Sequence, residues 1–600
     1  GLRLGDRAAP TELLARRYPC AGDGREAQLE LMGRALEVGA QGRAQALRAR
    51  LLSAHPEARA DLRLGAHEAF LALLQGDPAA VGTALQPLRR RPEAKALVER
   101  LEQARRALEA HPRPAPSPPG AAGRTPPPGS RLVERGSALL PPPPPVEGSY
   151  APALPLVVGE RVLVGSGSQL LVLDLSGKLL ARLPALAESA APSPPEQTRF
   201  MARLWARGEL CAAPLVLERW LAPARGAGGG GGRDPSFAGS FYSLLLADPG
   251  TGRLLWWDGD PGPVPLGAEV AGGQDGSTPL GPPGLGRAPQ ALRERLRRAH
   301  VLAVTGDEDR IYAALLFQGD DLELGVFAWK VDTGSQPVLL TPAWSAVTHL
   351  FAAERAGDLG GDEAAVHPEV AAALALDDTG RLVVTTDVGV VACLDTLEGD
   401  VQWLHDAPPP RVTRPGGIRP RLELVAPGPV APPEPARQLG PDLVAFVHGD
   451  HVVGASLARG EPAWTLGVGE PARTVLLDPE RLVVYAGDRL LLLHAASGQA
   501  LFSLQLPGER CAGEGVVWGD GLMLPVVDGG ASRVRRVELR GARGRGLPGG
   551  GGVLLLGSEW PCPNHRGPFN LAAASGPAGP FLVAASSRRV SLVDWEARGR

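Results

Sequence analysis

The stretch RLVVTTDVGVVACLDTLEGDVQWL, residues 381–404, holds three short apolar runs broken by Asp-Val-Gly and Leu-Glu-Gly. Much the same phrase returns as RLVVYAGDRLLLLHAASGQALFSL from residue 481 and as RVLVGSGSQLLVLDLSGKLLARL from residue 161. Each copy reads as strand, tight turn, strand ending on an acidic or polar residue, glycine turn, then a strand carrying an aromatic.

Aligning the residue that ends the middle strand gives Asp174, Asp248, Asp332, Asp395, Leu457, His494 and Asp594, with a degenerate copy around Val537. The glycine follows at Gly177, Gly252, Gly334, Gly399, Gly460 and Gly498, and the aromatic at Trp256 or Trp257, Trp344, Trp403, Trp464 and Phe502. Short antiparallel strands need turns that tolerate positive φ, which glycine supplies. An Asp before the turn can accept a hydrogen bond from the backbone two residues on. The Trp then fills the gap to the neighbouring sheet, which places Trp403 and Trp464 in packing between sheets. Small four-stranded sheets repeated radially make an all-β propeller, and eight units can be counted. The phrase is therefore one blade, repeated because a ring needs it.

LDTLEGDVQW, ADPGTGRLLWW, VDTGSQPVLL and LHAASGQALF resemble the A-x-D-x-x-T-G-x-x-x-W motif of quinoprotein-type (PQQ-like) propellers, a group that includes PQQ-dependent alcohol dehydrogenases and BamB. The resemblance covers residues 150–600 and implies an eight-bladed ring. Uneven spacing of the anchors shows that several blades carry long inserts, among them 223–239, 259–286 and much of 406–440. Propellers commonly close by completing one blade with strands from both chain ends, so that no edge stays open. The C-terminal segment, with strand patterns at Phe581 to Ala585 and Val590 to Asp594, should share a sheet with, or lie beside, the blade containing Leu171 to Asp174.

Residues 12–110 carry a different period. Leu29, Met32 and Leu36, then Ala44, Leu47, Leu51 and Ala54, recur at helical spacing, and His55-Pro56 stops the second helix. Leu64, His67, Leu71 and Leu74 precede Val81, Ala84, Leu85 and Leu88 in a second pair, and Leu97, Leu101, Ala104 and Leu108 mark a last helix. The hairpin LELMGRALEVGAQGRAQALRARLLSAHP resembles a tetratricopeptide (TPR) repeat, which implies a peptide-binding groove or a helical spacer. The arginines here read as a solvated face. The expected organisation is a TPR-like helical domain over 1–110, a Pro-rich linker over 111–149 and the propeller over 150–600.

Composition narrows the function classes. A net charge of −3 points neither to nucleic acid nor to an anionic membrane surface. Only three Lys (Lys95, Lys178, Lys330), two Ile and two Asn occur, so a GC-rich genome accounts for the 78 Gly and 61 Pro. No run approaches a membrane span. The chain begins at Gly1, so an N-terminal segment is expected to have been removed or omitted. The five cysteines, Cys20, Cys211, Cys393, Cys511 and Cys562, are scattered; Cys511 and Cys562 could pair, with unpaired buried thiols the favoured reading.

Chemistry is sparse. By resemblance, a quinoprotein enzyme would stack PQQ, hold calcium and use adjacent cysteines, none of which adjoin here, and the only two Asn are Asn564 and Asn570. Asp307-Glu308-Asp309 and Asp320-Asp321 could supply oxygen ligands, but such clusters more often form solvated hairpin tips. His448, Asp450 and His451 could hold a metal, against a polar turn as the bland reading. The Gly run 228–232 has no following Lys-Ser/Thr, so it is no phosphate loop. The leading expectation is a non-enzymatic interaction scaffold of the bacterial cell envelope, binding proteins or peptides, with no catalytic, cofactor or metal residues. The alternative is a quinoprotein-type oxidoreductase binding PQQ and calcium.

Overall fold

The computed structural model describes residues 22–37, 41–110, 131–140, 154–183, 203–221, 236–257, 292, 296, 299–332, 338–354, 371–406, 433–540 and 553–596, less a few one- or two-residue turns. Its glycine turns meet the demand of the repeated phrase. Gly399 and Gly460 adopt φ of +81° and +71°, the left-handed region in which other residues are strained. Each donates its N–H four residues back, to Asp395 O at 2.8 Å and Ser456 O at 2.7 Å. The turn between the third and fourth strands of a blade is closed by that bond.

Eight antiparallel sheets result. Pro155–Val158, Arg161–Ser166, Gln169–Asp174 and Leu179–Leu183 form blade 1. Blades 2 to 7 follow in chain order over 205–257, 299–354, 372–406, 437–467, 473–505 and 510–566. First strands touch their neighbours around the axis from blade 1 to blade 4 and from blade 6 through blades 7 and 8 back to blade 1. Between blades the core is apolar: Val162, Val164, Leu171 and Leu173 of blade 1 pack on Phe581, Val583, Val590 and Leu592 of blade 8. Every blade thus covers a face of its neighbour, which a two-sided apolar sheet requires.

The seam differs from the expected organisation at one point. Arg131–Leu139, which the Pro-rich composition assigns to the linker, is a strand. It pairs antiparallel with Arg589–Glu596 and becomes the fourth, outer strand of blade 8 beside Asn570–Gly576 and Gly579–Ala585. The flanking prolines hide a nine-residue run, RLVERGSAL, whose own composition is compatible with a strand. The C-terminal segment accordingly lies directly beside blade 1, and the N-terminal side of the chain supplies the closing strand. Gly136 pairs with Leu592, two residues before Asp594, just as Trp403 pairs with Cys393 two residues before Asp395. A bulge accompanies both pairings, so the seam keeps the register of the repeat.

Among the described residues five α-helices precede the ring: α1 (Gly22–Glu37), α2 (Gln41–Ala54), α3 (Leu62–Gln75), α4 (Pro78–Arg89) and α5 (Lys95–Ala110). Asp61 and Asp77 cap α3 and α4 by accepting N–H bonds from Arg63 and from Ala79 and Ala80 at 2.9 Å. Leu29, Met32, Leu47 and Leu51 join Leu64 in one core, and Val81, Leu85 and Leu88 form a second with Leu101. Leu97 is exposed, and Val98 packs in its stead.

Candidate functional site

Antiparallel blades put alternate connections at opposite ends of the ring. The turns after the first and third strands share one face, here the first face. The turns after the second strand and the links between blades share the second face. Three features compete as functional sites: the blade motif itself, the first face and the mouth of the axial channel on the second.

The blade motif is used between blades. Trp344, Trp403 and Trp464 each donate Nε1–H to a carbonyl of the following blade: Thr396 at 3.1 Å, Leu457 at 2.8 Å and Ala495 at 3.1 Å. Each indole also covers that blade's turn glycine. A Cβ on Gly399, Gly460 or Gly498 would meet the ring atoms at 2.6, 2.6 and 2.4 Å. Ala181 stands over Gly252 in the same way, and Gly136 of the closing strand over Gly177. Asp174 Oδ1 accepts from Ser176 N at 2.8 Å, Asp248 Oδ1 from Gly250 N at 2.8 Å and Asp395 Oδ1 from Leu397 N at 3.1 Å. Asp594 accepts from Arg135 of the closing strand. Asp332 ends the third strand of blade 3, whereas Gly334 and the side chain of Trp256 lie outside the described residues. In blade 5 the anchor is Ser456, not Leu457: the strand ends at Ser456, and Leu457 is the buried residue whose carbonyl receives Trp403.

Helix α2 sits on the first face at blades 3 and 4. Arg43 Nη1 lies 3.0 Å from Asp309 Oδ2 of blade 3, and Arg50 Nη1 lies 2.5 Å from Glu398 Oε1 of blade 4. These arginines are therefore paired with the ring instead of forming a solvated face. Asp307 and Asp309 are likewise no free hairpin tip. Asp307 is buried, accepts from Tyr312 OH at 2.8 Å and from Arg310 N at 2.9 Å, and burial next to Asp309 pushes its carboxyl upward. Glu308, Asp320 and the side chain of Asp321 lie outside the described residues.

At the channel mouth, the second face draws together charges that sequence spacing could not connect. Arg203, ahead of blade 2, reaches Glu514 of blade 7 with both Nη nitrogens, the Nη1–Oε2 contact being 3.1 Å. Its Nη2 also lies 3.9 Å from Glu434 Oε1, ahead of blade 5. Arg473, opening blade 6, binds Glu434 Oε1 at 2.9 Å and Glu514 Oε1 at 3.4 Å, and Arg437 closes on Glu434 Oε2 at 3.4 Å. Burial alone would raise the Glu514 carboxyl, but Arg203 and Arg473 beside it hold it below its ordinary value. Burial opposes the charge on Arg203, and Glu514 and Glu434 more than offset it. The backbone fixes the acids: Glu514 N donates to Asn570 Oδ1 at 2.7 Å, and Glu434 O accepts from Thr385 Oγ1 at 2.8 Å. The network is a strut across the axis, joining blades 2, 4, 5, 6, 7 and 8.

A calcium ion beside PQQ would take six to eight oxygen ligands. The two carboxylates at the mouth already face three guanidinium groups, and the Asn570 oxygen is engaged by backbone. No cluster of three or more His, Cys, Asp or Glu stands at metal-holding distance among the described residues. The mouth does not fit that ion. His448 Nε2 meets Gly389 O at 3.1 Å, while His451 Nδ1 pairs with Asp450 Oδ1 at 2.6 Å, so these groups do not converge. Cys211, Cys393 and Cys562 are buried free thiols and Cys511 is a half-buried one, all pushed up to about 12 by burial; Cys20 lies outside the described residues.

The chain is thus an eight-bladed β-propeller preceded by a short helical unit. No protein-family model matches it, and no curated protein does. Among solved structures it is similar to BamB from Moraxella catarrhalis, at 11% identity and TM-score 0.39, over 78% of this chain and 99% of that one. The C-terminal WD40 domain of Sif2 gives 12% and 0.40 over 77% and 98%, and the computationally designed Ika8 protein 12% and 0.38 over 77% and 99%. These likenesses carry no argument beyond the ring that the strand order already gives. No helix of the described residues is long and apolar enough to cross a membrane.

Proposed function

We propose that the protein is a non-enzymatic protein-interaction scaffold of the bacterial cell envelope, resembling BamB-type propellers, and that its partners, other proteins or peptides, meet the second face. The observation that carries this reading is the inequality of the two faces. The first is tied to α2 by two ion pairs. At the second, described strands end at 183, 221, 257, 354 and 406, and the next strands of the ring begin only at 205, 236, 299, 372 and 437. Binding residues concentrate on variable connections held by a rigid frame. The periplasmic location rests on the resemblance of the repeat.

Two full-length baits test it against an extract of a bacterium carrying the gene. Arg437→Glu alters the channel mouth, and Glu480→Arg alters an exposed turn on the first face. Arg437→Glu should lose the partners that the wild type and Glu480→Arg both retain. Equal capture by all three overturns the assignment to the second face. Recovery of the natural protein in the cytoplasmic fraction overturns the envelope location. The quinoprotein alternative predicts a calcium-dependent visible band and dye reduction on adding PQQ; the scaffold reading predicts neither.

A further inference from the structure

We infer that α2 is an electrostatic latch, and that the helical unit exchanges between a state seated on blades 3 and 4 and a released state tethered by the chain. The inference stands on the contacts between α2 and the ring and does not depend on the scaffold reading, which places partners on the other face.

The latch is built into one stripe of α2. Gly42, Arg43, Ala46 and Arg50 recur at helical spacing, while Ala44, Leu47 and Leu51 point into the helical core. At the N-terminal end Gly42 lies against the turn at Gly380, where a Cβ would come 2.7 Å from Gly42 O and 3.0 Å from the Ala46 Cβ. Arg43 reaches blade 3 and Arg50 reaches blade 4. Leu397 of the blade 4 turn packs against the helical core and adds an apolar contact to the seat.

Three features make the seat reversible instead of a permanent fusion. Asp309 offers Arg43 a single contact through Oδ2, and its Oδ1 is buried without a hydrogen-bond partner among the described residues. That desolvation offsets much of what the ion pair contributes. Among the described residues the seat combines two ion pairs with the contact of Gly42 and Ala46 on the Gly380 turn and with Leu397, a mainly polar interface of the kind that lets units of one chain move relative to one another. Finally, twenty residues, 111–130, separate α5 from the closing strand, which is enough chain for the unit to leave its seat and stay at high effective concentration. Release would uncover Asp309 and Glu398 on the ring and Arg43 and Arg50 on the helix, surfaces of opposite charge.

Hydrogen exchange on the full chain reads the equilibrium directly. The helix variant is Arg43→Asp with Arg50→Glu; the ring variant, which leaves the helix untouched, is Asp309→Asn with Glu398→Gln. Both should speed exchange in α2 and in the turn 395–400 at least tenfold and leave strand Arg381–Thr386 unchanged. Combining the helix variant with Asp309→Arg and Glu398→Arg should restore protection. In the wild type, raising salt from 50 to 500 mM should move exchange the same way. Unchanged exchange in both variants overturns the latch, as does a wild type equally protected at both salt concentrations. The assay contains no partner, so failure of the scaffold reading would leave it unaffected.

Discussion

Trp403 of blade 4 lies on Gly460 of blade 5, with its indole N–H bound to Leu457 O at 2.8 Å and no room left for a Cβ on the glycine. The pair explains why glycine and tryptophan recur together in the sequence. One supplies the left-handed turn and the open floor, and the other, from the preceding blade, occupies it. Gly460→Ala should therefore incur two penalties, a left-handed alanine and an overpacked contact. Each is about 1–3 kcal/mol. Gly469→Ala is the control, because Gly469 has φ of +77° and nothing within 4 Å of its would-be Cβ. Thermal melts should rank Gly460→Ala clearly below Gly469→Ala. Equal losses would show that the indole does not hold the turn.

Trp403 is buried, whereas Trp464 is half-buried. Trp403→Ala should cost about 3–5 kcal/mol, the range for truncating a large aromatic in a core, and Trp464→Ala less. Denaturant titrations of both variants check the order. A Trp403→Ala midpoint equal to the parent's would place that side chain outside the core.

The ring was legible because its code is local. Strand, turn glycine and docking aromatic fall within 24 residues, as in 381–404, so a reader needs no long-range information. In blade 5 the anchor is hard to place from sequence, because Ser456 stands where most copies carry Asp and the carboxylate that marks the strand end is missing. A second signal recurs in the sequence: GDEDR, DDTGR and DPER each place an acid three or four residues before an Arg at the turn after the first strand. Asp307, Asp377 and Asp478 there accept from backbone N–H groups, and Arg310 crosses to Thr396 O at 2.8 Å. The closing strand was hidden by its prolines. The channel mouth was not legible at all, since Arg203 and Glu514 are 311 residues apart and meet only when the ring closes.

Closure by the N-terminal strand separates two truncations. Removing 1–110 should leave the ring's β spectrum and melting intact, because α2 touches it through a mainly polar seat. Removing 1–140 should lower the melting temperature sharply and promote aggregation, because it strips the outer strand from Arg589–Glu596 and leaves an open edge. Circular dichroism and light scattering on both truncations decide the matter. If the two melt alike, the seam does not depend on residues 131–139.

The channel-mouth strut makes an acid-side prediction. Glu514 is held below the ordinary carboxyl value of 4.5 when folded, so its ionised form favours the folded state. That contribution is complete above the unfolded value and disappears as pH falls through the folded one. Glu514→Gln removes it at every pH. Melting temperatures of parent and variant should therefore differ most at neutral pH and converge as pH drops below about 4.5. Arg203→Ala should cost about 3 kcal/mol at pH 7, the low end for breaking a buried pair, because a fifth of the Arg203 side chain stays exposed and Arg473 remains beside the acid. Parallel melting curves for parent and Glu514→Gln across this range would mean that the carboxylate is no better stabilised in the ring than in the unfolded chain, and the strut would then be geometry without energetic consequence.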